Sequence, residues 1–178
     1  MTTLVNILTF SRIVLALIIF LFLMQDKFLL LAFICFILGG LSDYFDGYLA
    51  RKYNAISQIG EIFDPIADKI FIVFIFFGIS LNLSSFLLGF AGAIIISREI
   101  WVSALRDYNS RNKNTNATRV IFIAKIKTFV QMFTLSIYLF ALAFNLMILI
   151  PIADIFAISS ILITLYTGYL YTYSTFKN

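Results

Sequence analysis

Two stretches of this chain run without a single charge for longer than a bilayer is thick. Residues 128–153 and 155–176 contain no Asp, Glu, Lys or Arg. About 20 predominantly apolar residues suffice for a helix to cross the hydrocarbon core. A soluble domain of 178 residues has no interior large enough for such runs when the whole chain is 62% hydrophobic and holds 21 Phe. The expected fold is therefore an all-α integral membrane bundle of six transmembrane helices. They are placed at roughly 8–25, 28–53, 60–82, 85–108, 118–145 and 152–174. The chain reads as a single membrane domain over 1–178.

The expected breaks fall at Gln25-Asp26-Lys27, at Asn54 to Gln58, at Asn82-Leu83-Ser84-Ser85, at Asn109 to Asn116 and near Pro151. The polar run from Asn109 to Asn116 is the best candidate for a mobile loop. The first apolar segment has no charged n-region before it and no small-residue cleavage site after it, so it is expected to stay as a helix. The chain has no histidine. That excludes Ser-His-Asp and Cys-His catalysis and argues against a zinc or haem site. Cys35 is the only cysteine, so no intramolecular disulfide forms, and it is read as a small packing residue.

Charge is distributed unevenly between the two ends of these helices. Arg51 and Lys52 follow the second helix. Arg106, Arg111, Lys113, Arg119, Lys125 and Lys127 surround the fourth connection, and Lys177 closes the chain, whereas the opposite end carries only Lys27 beside Asp26. The positive-inside rule then places both termini in the cytoplasm of a cell (inner) membrane protein. Membrane lipids are expected partners and nucleic acid is not.

Against this apolar background stands one spaced polar set: Asp43, Asp46, Gly47, Ala50, Arg51, Gly60, Asp64 and Asp68, or D-x2-D-G-x2-A-R-x8-G-x3-D-x3-D. Its four aspartates fall within 26 residues of a chain that is only 12% charged. A carboxylate near lipid costs a few kcal/mol unless it is paired, so it marks a function. Asp43, Asp46, Gly47, Ala50 and Arg51 share one helical stripe, and Gly60, Asp64 and Asp68 share another. Facing each other, the stripes would converge four acids at the cytoplasmic end, where hard cations bind together with substrate phosphates. Two such ions form a clamp for in-line displacement at phosphorus, and one carboxylate can take a proton. Arg51 suits a bidentate contact with phosphate. Gly47, Ala50 and Gly60 leave room for a neighbouring helix or a diphosphate. Pro65 disfavours helix at Asp64, so the third helix is expected to start or kink there. The alternative is an ion-pair network that only holds helices together, but four acids beside one arginine would leave it strongly negative.

The pattern resembles the signature of the CDP-alcohol phosphatidyltransferases, with every position matched at its spacing, and the likeness extends from Asn6 to about Met132. The resemblance implies six transmembrane helices, a homodimer, two Mg2+ or Mn2+ ions and a CDP-linked lipid donor. It implies that Asp43, Asp46, Asp64 and Asp68 ligate metal, with Asp68 also the general base. It implies that Asp46, Gly47, Ala50, Arg51, Ser57 and Gly60 form the CDP-lipid site. Asn6 and Thr9 match an N-terminal segment that also touches the donor, with Val5 standing where the family often has proline. The last helix is expected to add only hydrophobicity.

The acceptor is set elsewhere. Arg98 and Arg106 lie near one face of the fourth helix, and Lys125 and Lys127 open the fifth. Cations at the edge of a membrane cavity suit an acceptor that carries a phosphate. Lys125 and Lys127, two residues apart, cannot both point to one place on a straight helix. Ile95-Ile96-Ser97-Arg98-Glu99, Lys125-Ile126-Lys127-Thr128 with Gln131, and Asp64-Pro65-Ile66-Ala67-Asp68-Lys69 are similar to the bacterial phosphatidylglycerophosphate synthases, a branch of that family. This resemblance implies CDP-diacylglycerol and sn-glycerol 3-phosphate as substrates. Branches using phosphatidylglycerol, as in cardiolipin synthase, or an inositol phosphate stay open. A divalent-cation transporter is the alternative from another class, although its acids would be spread through the bilayer depth. Tyr166, Tyr169, Tyr171 and Tyr173 are read as interfacial anchors or dimer contacts.

Overall fold

The computed structural model describes the backbone of residues 2–52, 58–112 and 122–177, and within these the side chains of 9–42, 63–112, 123 and 125–177. Six α-helices make up the described residues: α1 (Thr2–Leu23), α2 (Leu29–Lys52), α3 (Gln58–Asn82), α4 (Phe86–Arg111), α5 (Phe122–Ala143) and α6 (Ile150–Phe176). Short 3-10 turns at Asp26–Phe28 and Met147–Leu149 lead into α2 and α6. Three breaks thus fall where polar and turn-forming residues interrupt the apolar pattern. Ser84 and Asn145 take the left-handed conformation, with φ of 49° and 54°, to turn the chain at one end of the bundle.

The helices form a ring in the order α3, α1, α2, α5, α6, α4, and α3 also touches α5 across the middle. The side chains that meet fix the directions. Thr9 meets Asp64, Arg12 meets Asp68, and Asn82 Nδ2 donates to the Leu23 carbonyl at 3.0 Å, so α1 and α3 run the same way. Ala16, Ile19 and Leu23 continue the buried stripe that Thr9 and Arg12 begin, at the spacing that keeps side chains on one helix face. Gly39 lets α2 approach α3, because a Cβ there would lie 2.6 Å from Phe71 Cζ.

Outward faces are apolar. Phe86, Phe129, Ile148, Ile155 and Leu162 are each more than half exposed, an arrangement suited to lipid and costly in water. Among the described residues, Phe86–Arg111, Lys125–Ala143 and Met147–Phe176 are long and apolar enough to cross a membrane, and Thr9–Leu23 is a shorter apolar helix. Among the described residues six α-helices are therefore present, and three of them are both long and apolar enough for a span.

Two sequence expectations are corrected here. Of the start or kink expected at Asp64, helix α3 does not show the start. It begins at Gln58 and continues through the proline, which removes only one backbone donor near the helix start. Nor does a loop start at Asn109. Helix α4 runs on to Arg111, and Asn109 is buried with its Nδ2 donating to Thr175 Oγ1 at 2.8 Å. The remainder of that expected loop, from Lys113 to Asn116, lies outside the described residues.

Candidate functional site

Polar side chains gather at the end of the bundle that holds the start of α3 and the later turns of α4. On one side, α1 supplies two donors to two acids of α3. Thr9 Oγ1 donates to Asp64 Oδ1, and Arg12 Nη1 donates to Asp68 Oδ1. Residues three apart on α1 meet residues four apart on α3 because both spacings keep side chains on one face. Arg12 is almost fully buried, whereas the Asp68 side chain is 44% exposed. A buried guanidinium needs an acidic partner, and this one restrains a carboxylate that still reaches open space.

On the other side, cations outnumber acids. Glu99 Oε1 accepts from Lys127 Nζ and, at 2.9 Å, from Arg98 Nη1. Lys69 Nζ lies 3.8 Å from Glu99 Oε2 and donates to Ser103 Oγ at 3.2 Å. Arg98 and Lys127 are each only 6% exposed. Three cations from three helices thus converge on one carboxylate and leave positive charge in excess. Lys127 faces inward while Lys125 is exposed, as their two-residue spacing requires.

Helix α6 contributes more than hydrophobicity, which corrects the sequence expectation. Ser160, Thr164, Thr167, Tyr171 and Thr175 form a buried polar stripe along it. Gln131 Nε2 donates to Thr164 Oγ1 at 3.2 Å. Tyr171 is 1% exposed and accepts from Arg106 Nη2 at 2.8 Å. It therefore turns inward, unlike Tyr166, Tyr169 and Tyr173, whose exposure fits an interfacial belt.

A cavity of about 160 Å³ joins the two sides. Asp68 and Pro65 line it from α3, Glu99 from α4, and Lys127 and Gln131 from α5. A smaller cavity of about 50 Å³ lies on the other side of Asp68, against Arg12, Gly39 and Gly40. Asp68 is the one acid shared by these two cavities.

The structure therefore brings together Thr9, Asp64 and Asp68, and separately Arg98, Arg106 and Lys127. It leaves Lys125 outside both groups. The side chains of Asn6, Asp43, Asp46, Ala50 and Arg51 lie outside the described residues, as does Ser57, and of Gly47 and Gly60 only the helical backbone is described. Among the described residues no group of three or more acids, Cys or His gathers as a metal site. Asp64 and Asp68 nevertheless offer carboxylate oxygens one helical turn apart, a donor set that fits a hard cation.

Four participants escaped assignment from the sequence. Arg12 carried a signal: it is the one cation in an apolar first helix, three residues after Thr9. Lys69 and Glu99 stand inside the segments that mark the acceptor branch, yet only contacts between helices show them as partners. Tyr171 carried no signal among four spaced tyrosines.

The CDP-alcohol phosphatidyltransferase family pattern matches residues 2–166. A protein of Rickettsia typhi is 36% identical over 174 residues, covering 96% of this chain and 96% of its own. One of Rickettsia prowazekii is 36% identical over 169 residues, covering 93% of this chain and 91% of its own. One of Blochmanniella floridana is 41% identical over 106 residues, which is 60% of this chain and 56% of that relative. Each of the three is named CDP-diacylglycerol–glycerol-3-phosphate 3-phosphatidyltransferase.

Proposed function

The chain belongs to the CDP-alcohol phosphatidyltransferase family, and from that premise we propose that it moves the phosphatidyl group of CDP-diacylglycerol to sn-glycerol 3-phosphate. The products are phosphatidylglycerophosphate and CMP. The observation that carries this reading is the cavity with Asp68 on one wall and Lys127 and Glu99 on the other.

The residues divide the reaction between them. Asp43, Asp46, Asp64 and Asp68 would hold two Mg2+ or Mn2+ ions, which would neutralise the donor diphosphate and the leaving phosphate. Asn6, Thr9, Gly47, Ala50, Arg51, Ser57 and Gly60 hold the CDP moiety. Arg98, Arg106 and Lys127 bind the acceptor phosphate, which carries about two negative charges near neutral pH. That charge matches the excess left around Glu99. The acceptor hydroxyl oxygen bonds to the phosphatidyl phosphorus as the bond from that phosphorus to the CMP oxygen breaks. Asp68 takes the hydroxyl proton as a general base. Arg12 keeps the Asp68 carboxylate turned toward the cavity.

The direct test is to incubate purified protein with CDP-diacylglycerol and, separately, glycerol 3-phosphate, inositol phosphate, serine and phosphatidylglycerol, then to identify the lipid product. Phosphatidylglycerophosphate from glycerol 3-phosphate alone supports the reading. Cardiolipin or an inositol lipid moves the chain to another branch. The transporter alternative is set aside by family membership.

Two further parts of the proposal concern setting. The polar end and both termini face the cytoplasm of the inner membrane, as the basic residues at that end support. A single cysteine at Asn112, with Cys35 replaced, then resists an impermeant thiol reagent in intact cells, and labelling reverses the orientation. The enzyme works as a homodimer, following the family resemblance. Crosslinking in native membranes tests this by a band at twice the monomer mass.

A further inference from the structure

We propose that Tyr171, on the last helix, is a positioning residue for the acceptor, holding Arg98 and Arg106 as one cationic unit. The inference rests on the acceptor reading above and goes beyond it. Tyr171 lies outside the stretch that matches the family, which ends at residue 166.

The geometry around this ring is specific. The Arg98 guanidinium carbon lies 5.5 Å from the Tyr171 ring centre and that of Arg106 lies 5.0 Å away. Both are within the range in which a cation is drawn to an aromatic face. The Tyr171 hydroxyl also accepts from Arg106 Nη2 at 2.8 Å. Both guanidiniums thus share one electron-rich ring, whose attraction offsets part of the repulsion between two like charges. Gly168, one turn earlier on α6, keeps the approach open. A Cβ there would stand 3.2 Å from Arg98 Cγ.

The two arginines are held but not satisfied. Arg98 Nε and Nη2 and Arg106 Nε are buried without a hydrogen-bond partner. Buried guanidinium donors left unpaired are costly, and an anion with several acceptor oxygens would remove that cost. The ring supplies no acceptor for Nε or Nη2, so it fixes the arginines without competing for their remaining donors.

The test is steady-state kinetics on the purified full-length chain, varying glycerol 3-phosphate and CDP-diacylglycerol in turn. Tyr171→Phe keeps the ring and loses the hydroxyl, so KM for glycerol 3-phosphate rises about threefold. Tyr171→Leu loses both contacts, and that KM rises about tenfold or more. In both variants KM for CDP-diacylglycerol stays within about twofold of wild type by this account. Equal rises in the two KM values, or unchanged KM for glycerol 3-phosphate in both variants, overturn the proposal and make Tyr171 a packing residue. If the Leu variant does not fold, the near-isosteric Phe variant alone decides. A wild-type enzyme that makes no product from glycerol 3-phosphate brings down the acceptor reading and this inference with it. Wild-type turnover with unmoved KM in the variants brings down the inference alone.

Discussion

The two walls of the central cavity are built in opposite ways. The α1–α3 wall presents acids that neutral and cationic side chains hold in place: Thr9 on Asp64, Arg12 on Asp68. The other wall is a cluster of cations that one acid holds in place, Lys69, Arg98 and Lys127 around Glu99, of which Lys69, Glu99 and Lys127 line the cavity and Arg98 lies behind them. Among the described residues each wall keeps a surplus of its own sign. If cohesion were the only purpose, charges would be matched within each wall, since an unpaired buried charge is strongly destabilising. Surplus negative charge calls for cations and surplus positive charge calls for an anion. A reaction between a metal-bound diphosphate and a phosphorylated alcohol uses both.

The sharpest way to break this contrast is to remove the acidic surplus. Asp64→Asn and Asp68→Asn each retain shape and lose charge. Activity is expected to fall by about a hundredfold or more for each, the scale of losing one stabiliser of developing charge. Chelator is expected to abolish wild-type activity, and added magnesium or manganese to restore it. Full turnover in chelator, or a near-normal Asp64→Asn enzyme, would leave the acidic wall as a helix clamp.

A smaller effect is expected from unbalancing the cationic wall. Removing one partner of a buried pair typically costs about 3–5 kcal/mol, while replacing both with apolar groups is often nearly neutral. Lys127→Met and Glu99→Gln are therefore each expected to lower the melting temperature in detergent, and the double variant to recover part of the loss. Additive losses would show that Glu99 does not organise this wall through Lys127. The smallest effect belongs to Thr9→Val. It removes the hydrogen bond to the charged Asp64, about 1.5–3 kcal/mol, and leaves the ion pair at Asp68 intact. Activity measured beside Asp64→Asn should fall by far less. A loss as large as that of Asp64→Asn would give Thr9 a weight equal to that of the acid, beyond a hydrogen bond and a contact with the donor.

The walls also differ in how far the sequence reveals them. Asp64 and Asp68 repeat at four residues on one helix, so a linear pattern carries their shared face. The cationic wall has no such pattern. Lys69, Arg98, Glu99 and Lys127 come from three helices, and their meeting depends on how α3, α4 and α5 pack. Local spacing did separate Lys127 from Lys125, because it is a property of one helix. Helix existence was legible from apolar runs. The path of α3 through Pro65 was not, because a proline early in a helix forfeits little backbone bonding. Tyr171 was illegible for a related reason. Four tyrosines near a membrane edge look alike until packing turns one of them inward.

The claim that the acidic wall serves the donor and the cationic wall the acceptor is tested most directly at Arg98. Kinetics of Arg98→Ala and Arg98→Lys should be measured against both substrates with the purified chain. The account predicts that KM for glycerol 3-phosphate rises about tenfold or more in Arg98→Ala while KM for CDP-diacylglycerol changes little. Lys restores only part of the loss, because one ammonium does not replace a planar fork of donors. Equal effects on the two substrates, or full rescue by Lys, would contradict the division of labour and return Arg98 to the role of a structural ion.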